Sequence, residues 1–325
     1  MLLTANDIRG VYSIIPTPYK PVQGVWQGED TVDHVETERL VNAIIEDGSN
    51  GLMALGTTGE GSTVTEAEYR SFTATVLKAA RRRVPVFIGA TCMGLHQTIE
   101  RLRYARNLGA DGTLLGLPMW QECTEDIAVN FYAAVSKALP DMAIMVYANK
   151  DAFRFDFPPS FWAKVVDRAP TVTSAKFMNI RTYLDCLKAV RGKVNLLPFP
   201  ETVAEYVKLA PESVTALWAT SASMGPQVIV KMMDALKRRD MDLFEKIAAD
   251  LKWSGQPIMK PDGIIPSGRF GSYNIQFEKL RFEASGYCRP GPGRPPYDTM
   301  PENFAEDARE NARRWVEVNK RYMSL

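Results

Sequence analysis

Lys176 closes a short run of small and β-branched residues, Val172-Thr173-Ser174-Ala175, and is followed by Phe177. Such a run has the composition of a buried parallel strand. A lysine at the end of a buried strand is costly unless the structure uses it. Burial strips solvation from an ammonium and favours the neutral amine, which can attack a ketone to form a Schiff base. The alternative is a strand-end lysine whose charge reaches water along its aliphatic stem. A second group lies 29 residues earlier (176 − 147), where Ala143-Ile144-Met145-Val146 ends in the phenol of Tyr147. A third is Gly56-Thr57-Thr58-Gly59-Glu60, after the apolar run Gly51 to Leu55. Its glycines allow a tight turn whose N–H groups can converge on an anion, and the threonine hydroxyls add donors. Such a loop can hold a carboxylate. It can also be a plain strand-to-helix turn, and Thr65-Glu66-Ala67-Glu68 just beyond it reads as a helix start.

The remaining residue types narrow the chemistry. His34 and His96 are the only histidines. That excludes HExxH and C2H2 zinc sites and speaks against a histidine-dependent triad. His34 sits among charged residues and His96 at a helix start, so both read as surface or capping residues. Proton transfer then falls to Tyr, Glu, Lys or a substrate carboxylate. Cys92, Cys123, Cys186 and Cys288 form no CxxC pair, as expected of reduced thiols in a cytosolic protein. The chain has 325 residues, 46% hydrophobic and 24% charged, with net charge +1. A balanced charge gives no global field for nucleic acid or an anionic membrane. No apolar run is long enough to span a bilayer, and the first residues lack the features of a signal peptide. A cytoplasmic protein is expected.

Eight apolar runs alternate with helical patterns. They are Val11–Pro16, Gly51–Gly56, Val84–Gly89, Gly112–Gly116, Ala143–Tyr147, the Lys176 strand, Val194–Pro198 and Val214–Trp218. Helices are expected between them, for example over Glu38 to Asp47, Glu66 to Arg81 and Gln97 to Leu108, where apolar residues recur at spacings of three and four. Eight such units over about 220 residues predict a (β/α)8 TIM barrel. A doubly wound open sheet is the runner-up, but it usually carries a glycine-rich loop after its first strand, and Pro16-Thr17-Pro18 stands there instead. Helices over Asp240–Trp253, Tyr273–Ser285 and Pro301–Met323 follow, interrupted by the proline-rich stretch 289–296, which cannot be helical. The division expected is a barrel over 1–232 and a C-terminal helical extension over 233–325. In a barrel, chemistry gathers at the carboxyl ends of the strands. That places Thr57, Thr58, Trp120, Tyr147, Asn149, Lys176, Glu201 and Trp218 at one end. An amine, a phenol, hydroxyls and indoles suit carbonyl chemistry on an aromatic substrate better than hydrolysis.

The coincidence of GTTGE after strand two, Tyr147 ending strand five and Lys176 ending strand six resembles the pyruvate-dependent class I aldolase family of dihydrodipicolinate synthase and N-acetylneuraminate lyase. Gly48-Ser49-Asn50-Gly51, Asn107-Leu108-Gly109-Ala110-Asp111-Gly112 and the helical tail extend the resemblance over nearly the whole chain. It implies that Lys176 forms the Schiff base, that Tyr147 shuttles protons, and that Thr57, Thr58 and Gly59 hold the pyruvyl carboxylate. It also implies that no metal or organic cofactor is needed.

Two departures are informative. Ala152 stands where the synthases carry a substrate-binding arginine, and Leu117-Pro118-Met119-Trp120 lacks their tyrosine relay. A synthase for lysine formation is therefore disfavoured. The chain is more similar to the hydratase-aldolase branch, which acts on benzylidenepyruvates in polycyclic aromatic degradation. The stretches that carry this are Pro118-Met119-Trp120, Tyr147-Ala148-Asn149, Phe153-Arg154-Phe155-Asp156-Phe157-Pro158, Ala216-Leu217-Trp218, Ser272-Tyr273-Asn274-Ile275 and Arg294-Pro295-Pro296-Tyr297.

What this implies is an aryl pyruvate substrate. Water adds to its double bond, and cleavage then gives an aromatic aldehyde and pyruvate. Asn149 is expected to position the water, Trp120 and Trp218 to stack on the ring, and Asn274 to reach in from the tail. For either indole the alternative is packing at the barrel rim, and for Asn274 a helix cap. An ortho carboxylate on the ring would want Arg154 or Arg181 as partner. The chain departs at several loops from the form acting on the hydroxylated ring, so the carboxylated substrate is slightly favoured. Relatives assemble as homotetramers, and the same is expected here. A sugar-acid lyase or a non-catalytic pyruvyl-ligand binder are the alternatives.

Overall fold

The computed structural model describes residues 2–20 and 30–323. Strands and helices alternate: β1 (Gly10–Ile14), α1 (His34–Glu46), β2 (Gly51–Ala54), α2 (Glu66–Ala80), β3 (Val86–Ile88), α3 (Leu95–Asn107), β4 (Gly112–Leu115) and α4 (Glu125–Ala138). Next come β5 (Ala143–Tyr147), the one-turn α5 (Lys150–Phe153), α6 (Pro159–Arg168), β6 (Val172–Lys176), α7 (Tyr183–Val190), β7 (Asn195–Leu197), α8 (Val203–Leu209) and β8 (Ala216–Ala219). The chain then turns helical: α9 (Gln227–Arg238), α10 (Met241–Ser254), α11 (Gln256–Met259), α12 (Phe270–Ser285) and α13 (Glu302–Met323).

All strand pairs are parallel, in the order β7-β6-β5-β4-β3-β2-β1-β8. The sheet curls until its two ends meet. Trp218 N donates to Pro198 O at 3.0 Å, and Asn195 Nδ2 reaches both Ile8 O and Thr215 Oγ1 at 2.9 Å. The eight strands thus form a nearly closed TIM barrel, as the alternation of elements predicts. The strands are buried on both faces, which is why they read as unbroken apolar runs rather than as alternating ones.

Most element ends fall within a few residues of expectation. The first helix is the exception, beginning a turn earlier than Glu38. Asp33 accepts from Glu36 N at 3.1 Å and caps it there. His34 therefore lies in its first turn, bonded to Thr75 and Asp30, and His96 is exposed on α3. Neither approaches Lys176. The third expected C-terminal helix matches α13, whereas α12 starts at Phe270 and is interrupted at Tyr273 (φ −125°, ψ 15°). Leu251, Phe282, Trp315 and Val318 of the C-terminal helices pack into the same apolar core as the barrel. Among the described residues, no helix is long and apolar enough to cross a membrane.

Candidate active site

Four of the expected residues meet at the carboxyl ends of β2, β5, β6 and β8. Tyr147 and Lys176 are direct partners in the β5–β6 register. Lys176 is 6% exposed, and its Nζ lies 4.2 Å from the centroid of the Tyr147 ring and 3.9 Å from that of Trp218. The amine is thus held between two aromatic faces rather than led to solvent. The Tyr147 hydroxyl is 3.1 Å from Thr57 Oγ1 and accepts a long hydrogen bond from Asn149 Nδ2 at 3.4 Å. Burial pushes the phenol's pKa up. The neighbouring Lys176 ammonium and the bonds to Thr57 and Asn149 outweigh that, and leave it below the ordinary tyrosine value. A buried, acidified phenol beside an amine is the arrangement that moves protons to and from a Schiff base.

The aromatic setting is broader than the sequence suggested. The Trp218 indole donates to Phe177 O at 3.4 Å and lies 5.4 Å from the Phe199 ring. Phe153 meets Tyr147 edge-on at 5.2 Å. Phe153 sits on the one-turn helix that Asn149 caps, and Gly116 leaves it room: a Cβ at residue 116 would come within 1.9 Å of its Cζ. Phe199 lies in an apolar stretch and Phe153 in a charged one, Lys150 to Asp156, and in neither does local sequence separate a pocket aromatic from a core one.

The GTTGE loop folds as both readings required. Glu60 N donates to Thr57 O and Gly61 N to Gly56 O, closing a tight turn, and Thr65 opens α2 with a reciprocal cap to Glu68. Gly59 has no room for a side chain, since a Cβ there would come within 2.6 Å of Leu55 N. Thr58 is buried and Thr57 half-buried. Thr57, through its bond to Tyr147, ties the loop to the amine.

Asn149 and Asn274 differ in what they leave free. Asn149 Oδ1 accepts from Asp151 N and Ala152 N, both at 3.1 Å, so only its amide nitrogen faces Tyr147. Asn274 begins the regular part of α12 after the break at Tyr273, and it caps nothing: its Oδ1 is buried and has no partner. Its helix packs on the short 3-10 turn after β8 (Ser221–Met224).

Trp120 stands apart, 76% exposed at the rim. Arg154 holds the loop beside it, donating to Met119 O at 2.7 Å and Trp120 O at 2.8 Å. Arg181 is exposed on a 3-10 turn after β6. A surface cavity of about 300 Å³ lies elsewhere, at the amino ends of β3 and β4, lined by Lys78, Arg81, Arg82 and Asp111 among others. It contains none of these groups.

The residue cluster missed from sequence is behind the GTTGE loop. Glu60, fully buried, meets Lys279 Nζ at 2.7 Å and Arg294 Nη1 at 2.6 Å. These partners are 219 and 234 residues away in the chain, beyond any local signal.

Comparison with known proteins agrees with this geometry. Residues 8–254 match the dihydrodipicolinate synthetase family. A trans-O-hydroxybenzylidenepyruvate hydratase-aldolase of Sphingobium xenophagum is 39% identical over 98% of this chain and 97% of its own. A trans-2'-carboxybenzalpyruvate hydratase-aldolase of Nocardioides sp. (strain KP7) is 33% identical over 99% and 97%. A solved structure described as PhdJ bound to substrate intermediate is 35% identical and covers 98% of this chain and 99% of that one, with a TM-score of 0.93. The chain therefore belongs to the dihydrodipicolinate synthetase family, as a lyase of its hydratase-aldolase kind, whose class I chemistry runs through a covalent Schiff base with pyruvate and needs no external cofactor.

Proposed function

We propose that this protein adds water to an ortho-substituted benzylidenepyruvate and cleaves the product to an aromatic aldehyde and pyruvate, in the breakdown of polycyclic aromatic compounds. The observation that carries the proposal is the Lys176 amine held between the Tyr147 and Trp218 rings, with the Tyr147 hydroxyl bonded to Thr57. The names of the relatives support the aryl pyruvate class. The catalytic unit is the barrel, residues 1–232, with 233–325 as its helical extension, working in the cytoplasm as a homotetramer.

The steps follow from the groups present. The carboxylate of the substrate sits on the Thr57-Thr58-Gly59 loop, where backbone N–H groups and hydroxyls can donate to it. Lys176 attacks the adjacent ketone, and loss of water gives an iminium conjugated with the double bond. Water adds at the benzylic carbon and the electron pair moves to the iminium nitrogen, giving an enamine. Protonation of that enamine carbon restores the iminium. Removal of the benzylic hydroxyl proton then breaks the carbon–carbon bond and releases the aldehyde. The enamine left on Lys176 is protonated and hydrolysed to pyruvate. Tyr147 serves these proton transfers, steadied by Thr57 and Asn149. Of the two asparagines, Asn274 has the free acceptor that an attacking water needs. In this reading Trp218 offers the face on which the aryl ring stacks, and Trp120 closes over its outer edge from the rim.

The ortho group admits a second reading. A carboxylate would recruit Arg154, whose Nη2 holds two loop carbonyls and whose Nε and Nη1 remain to donate. A hydroxyl asks for no cationic partner. The test is borohydride reduction in the presence of pyruvate, followed by a panel of ortho-carboxyl, ortho-hydroxyl and unsubstituted benzylidenepyruvates read by loss of the conjugated absorbance. A reduced pyruvyl adduct on Lys176 with turnover of the panel is the expected result. Adduct without turnover would favour a sugar-acid lyase, and no adduct a non-catalytic binder.

A further inference from the structure

We propose that Glu60, Lys279 and Arg294 form a positioning unit for the GTTGE loop, so that the C-terminal extension completes the subsite that receives the pyruvyl carboxylate. The proposal rests on the reading that this loop holds that carboxylate.

The three side chains are 0%, 1% and 5% exposed. Glu60 receives Lys279 Nζ at 2.7 Å on Oε2, Arg294 Nη1 at 2.6 Å on the same oxygen, and Arg294 N at 2.7 Å on Oε1. The two cations also donate to Thr17 O, at 3.4 and 3.2 Å. Thr17 in turn donates its hydroxyl to Gly59 O at 2.6 Å. The unit therefore grips the loop twice, at the Gly59 carbonyl and at the Glu60 side chain, on either side of one peptide bond. Glu60 has a left-handed backbone (φ 55°), which a non-glycine residue holds only when its surroundings enforce it.

Stability alone does not account for this arrangement. A buried ion pair is commonly matched or bettered by apolar residues of similar size. Here one carboxylate is set against two cations, and Arg294 Nε and Nη2 are buried without a hydrogen-bond partner. Glu68 forms a second, longer ion pair with Arg294 Nε at 3.9 Å and also accepts from Thr31 N. What the arrangement does fix is the loop: its donors are held at set angles before a carboxylate arrives.

The experiment compares the unchanged protein with Glu60→Gln and Arg294→Met. Pyruvate is the probe, and borohydride trapping on Lys176 is followed against pyruvate concentration, with circular dichroism to confirm folding. In both variants the half-saturating pyruvate concentration should rise by about tenfold, the order expected when a charge-assisted contact is lost. The limiting trapping rate should stay within about threefold, since the amine and Tyr147 are untouched. A purely structural role would lower melting temperature without moving half-saturation. A shift in half-saturation of less than about threefold in folded variants overturns the proposal. Should Glu60→Gln fail to fold, Glu60→Gln with Lys279→Met removes both charges together and is read by the same two outcomes. Absence of trapping in the unchanged protein would instead overturn the Schiff-base reading, and unmoved half-saturation in Thr57→Val would overturn the carboxylate-loop reading.

Discussion

Tyr147 and Lys176 oppose each other Cα to Cα across the β5–β6 ladder, and the lysine nitrogen rests 4.2 Å from the centre of the tyrosine ring. Both lie at strand ends, where ladder hydrogen bonds fix the backbone on each side. Their separation is set by sheet geometry rather than by a loop, which is the kind of placement that proton transfer and nucleophilic attack require.

Tyr147→Phe keeps the ring beside Lys176 and removes only the hydroxyl. Turnover should fall by about 10²–10⁴-fold, the range for a positioned acid–base group, with a smaller change in substrate KM. The phenol's pKa lies below its ordinary value of 10, so the protonated form is lost at lower pH than in a free tyrosine. Where Tyr147 must donate, activity should decline on the alkaline side before pH 10. A pH–rate profile with that limb present in the native protein and absent in the residual activity of the variant would confirm the assignment.

Lys176→Ala removes the electron sink. No neighbouring side chain can replace an amine held between two rings, so turnover should drop to background while circular dichroism stays unchanged. Normal cleavage by this variant would sink the Schiff-base mechanism.

Thr57→Val should act mainly on binding. It deletes the hydroxyl that bonds Tyr147 at 3.1 Å and offers a donor to a carboxylate. Losing one such bond costs about 1 kcal/mol, or roughly fivefold in KM and in inhibition by pyruvate. Unchanged values for both would place the carboxylate elsewhere.

Asn274→Ala should separate hydration from cleavage. Its unpartnered Oδ1 is the acceptor proposed for the water. The variant should lose water addition to the benzylidenepyruvate by about 10²-fold. Cleavage of the already hydrated aldol should change much less. Equal losses in both assays would make Asn274 a packing residue of α12.

Gly116→Ala places a methyl group within 1.9 Å of Cζ of the Phe153 ring, which leans on Tyr147. Overpacking of this kind costs about 1–3 kcal/mol, and the strain is passed to the phenol. A lower melting temperature together with reduced kcat is expected. Unaltered kcat would show that Phe153 does not support Tyr147.

The barrel was legible because every strand is covered on both faces. Runs such as Ala143–Tyr147 and Val172–Lys176 are then continuous and apolar, and a polar residue ending one stands out. Tyr147 and Lys176 were found by that contrast, and the ladder brings them together; Thr57 was found in the glycine-bounded loop after β2 and joins them through its hydroxyl. The start of α1 was less clear, because Asp33 among charged residues gives no sign of which acidic group caps the helix.

What the sequence determined by itself was the alternation of elements, the strand ends that carry reactive groups, and the family those groups resemble. The tertiary structure decided which residues share the site with them. Trp120 and Trp218 both follow apolar strands, yet one is 76% and the other 7% exposed. The difference depends on where each chain leaves the barrel and what covers it, which no local pattern encodes. The same holds for Glu60, whose partners lie 219 and 234 residues away, Lys279 on α12 and Arg294 in the loop after it. Hydrophobic periodicity records burial along an element; a buried charge records only that some partner exists, and closure of the whole fold chooses it.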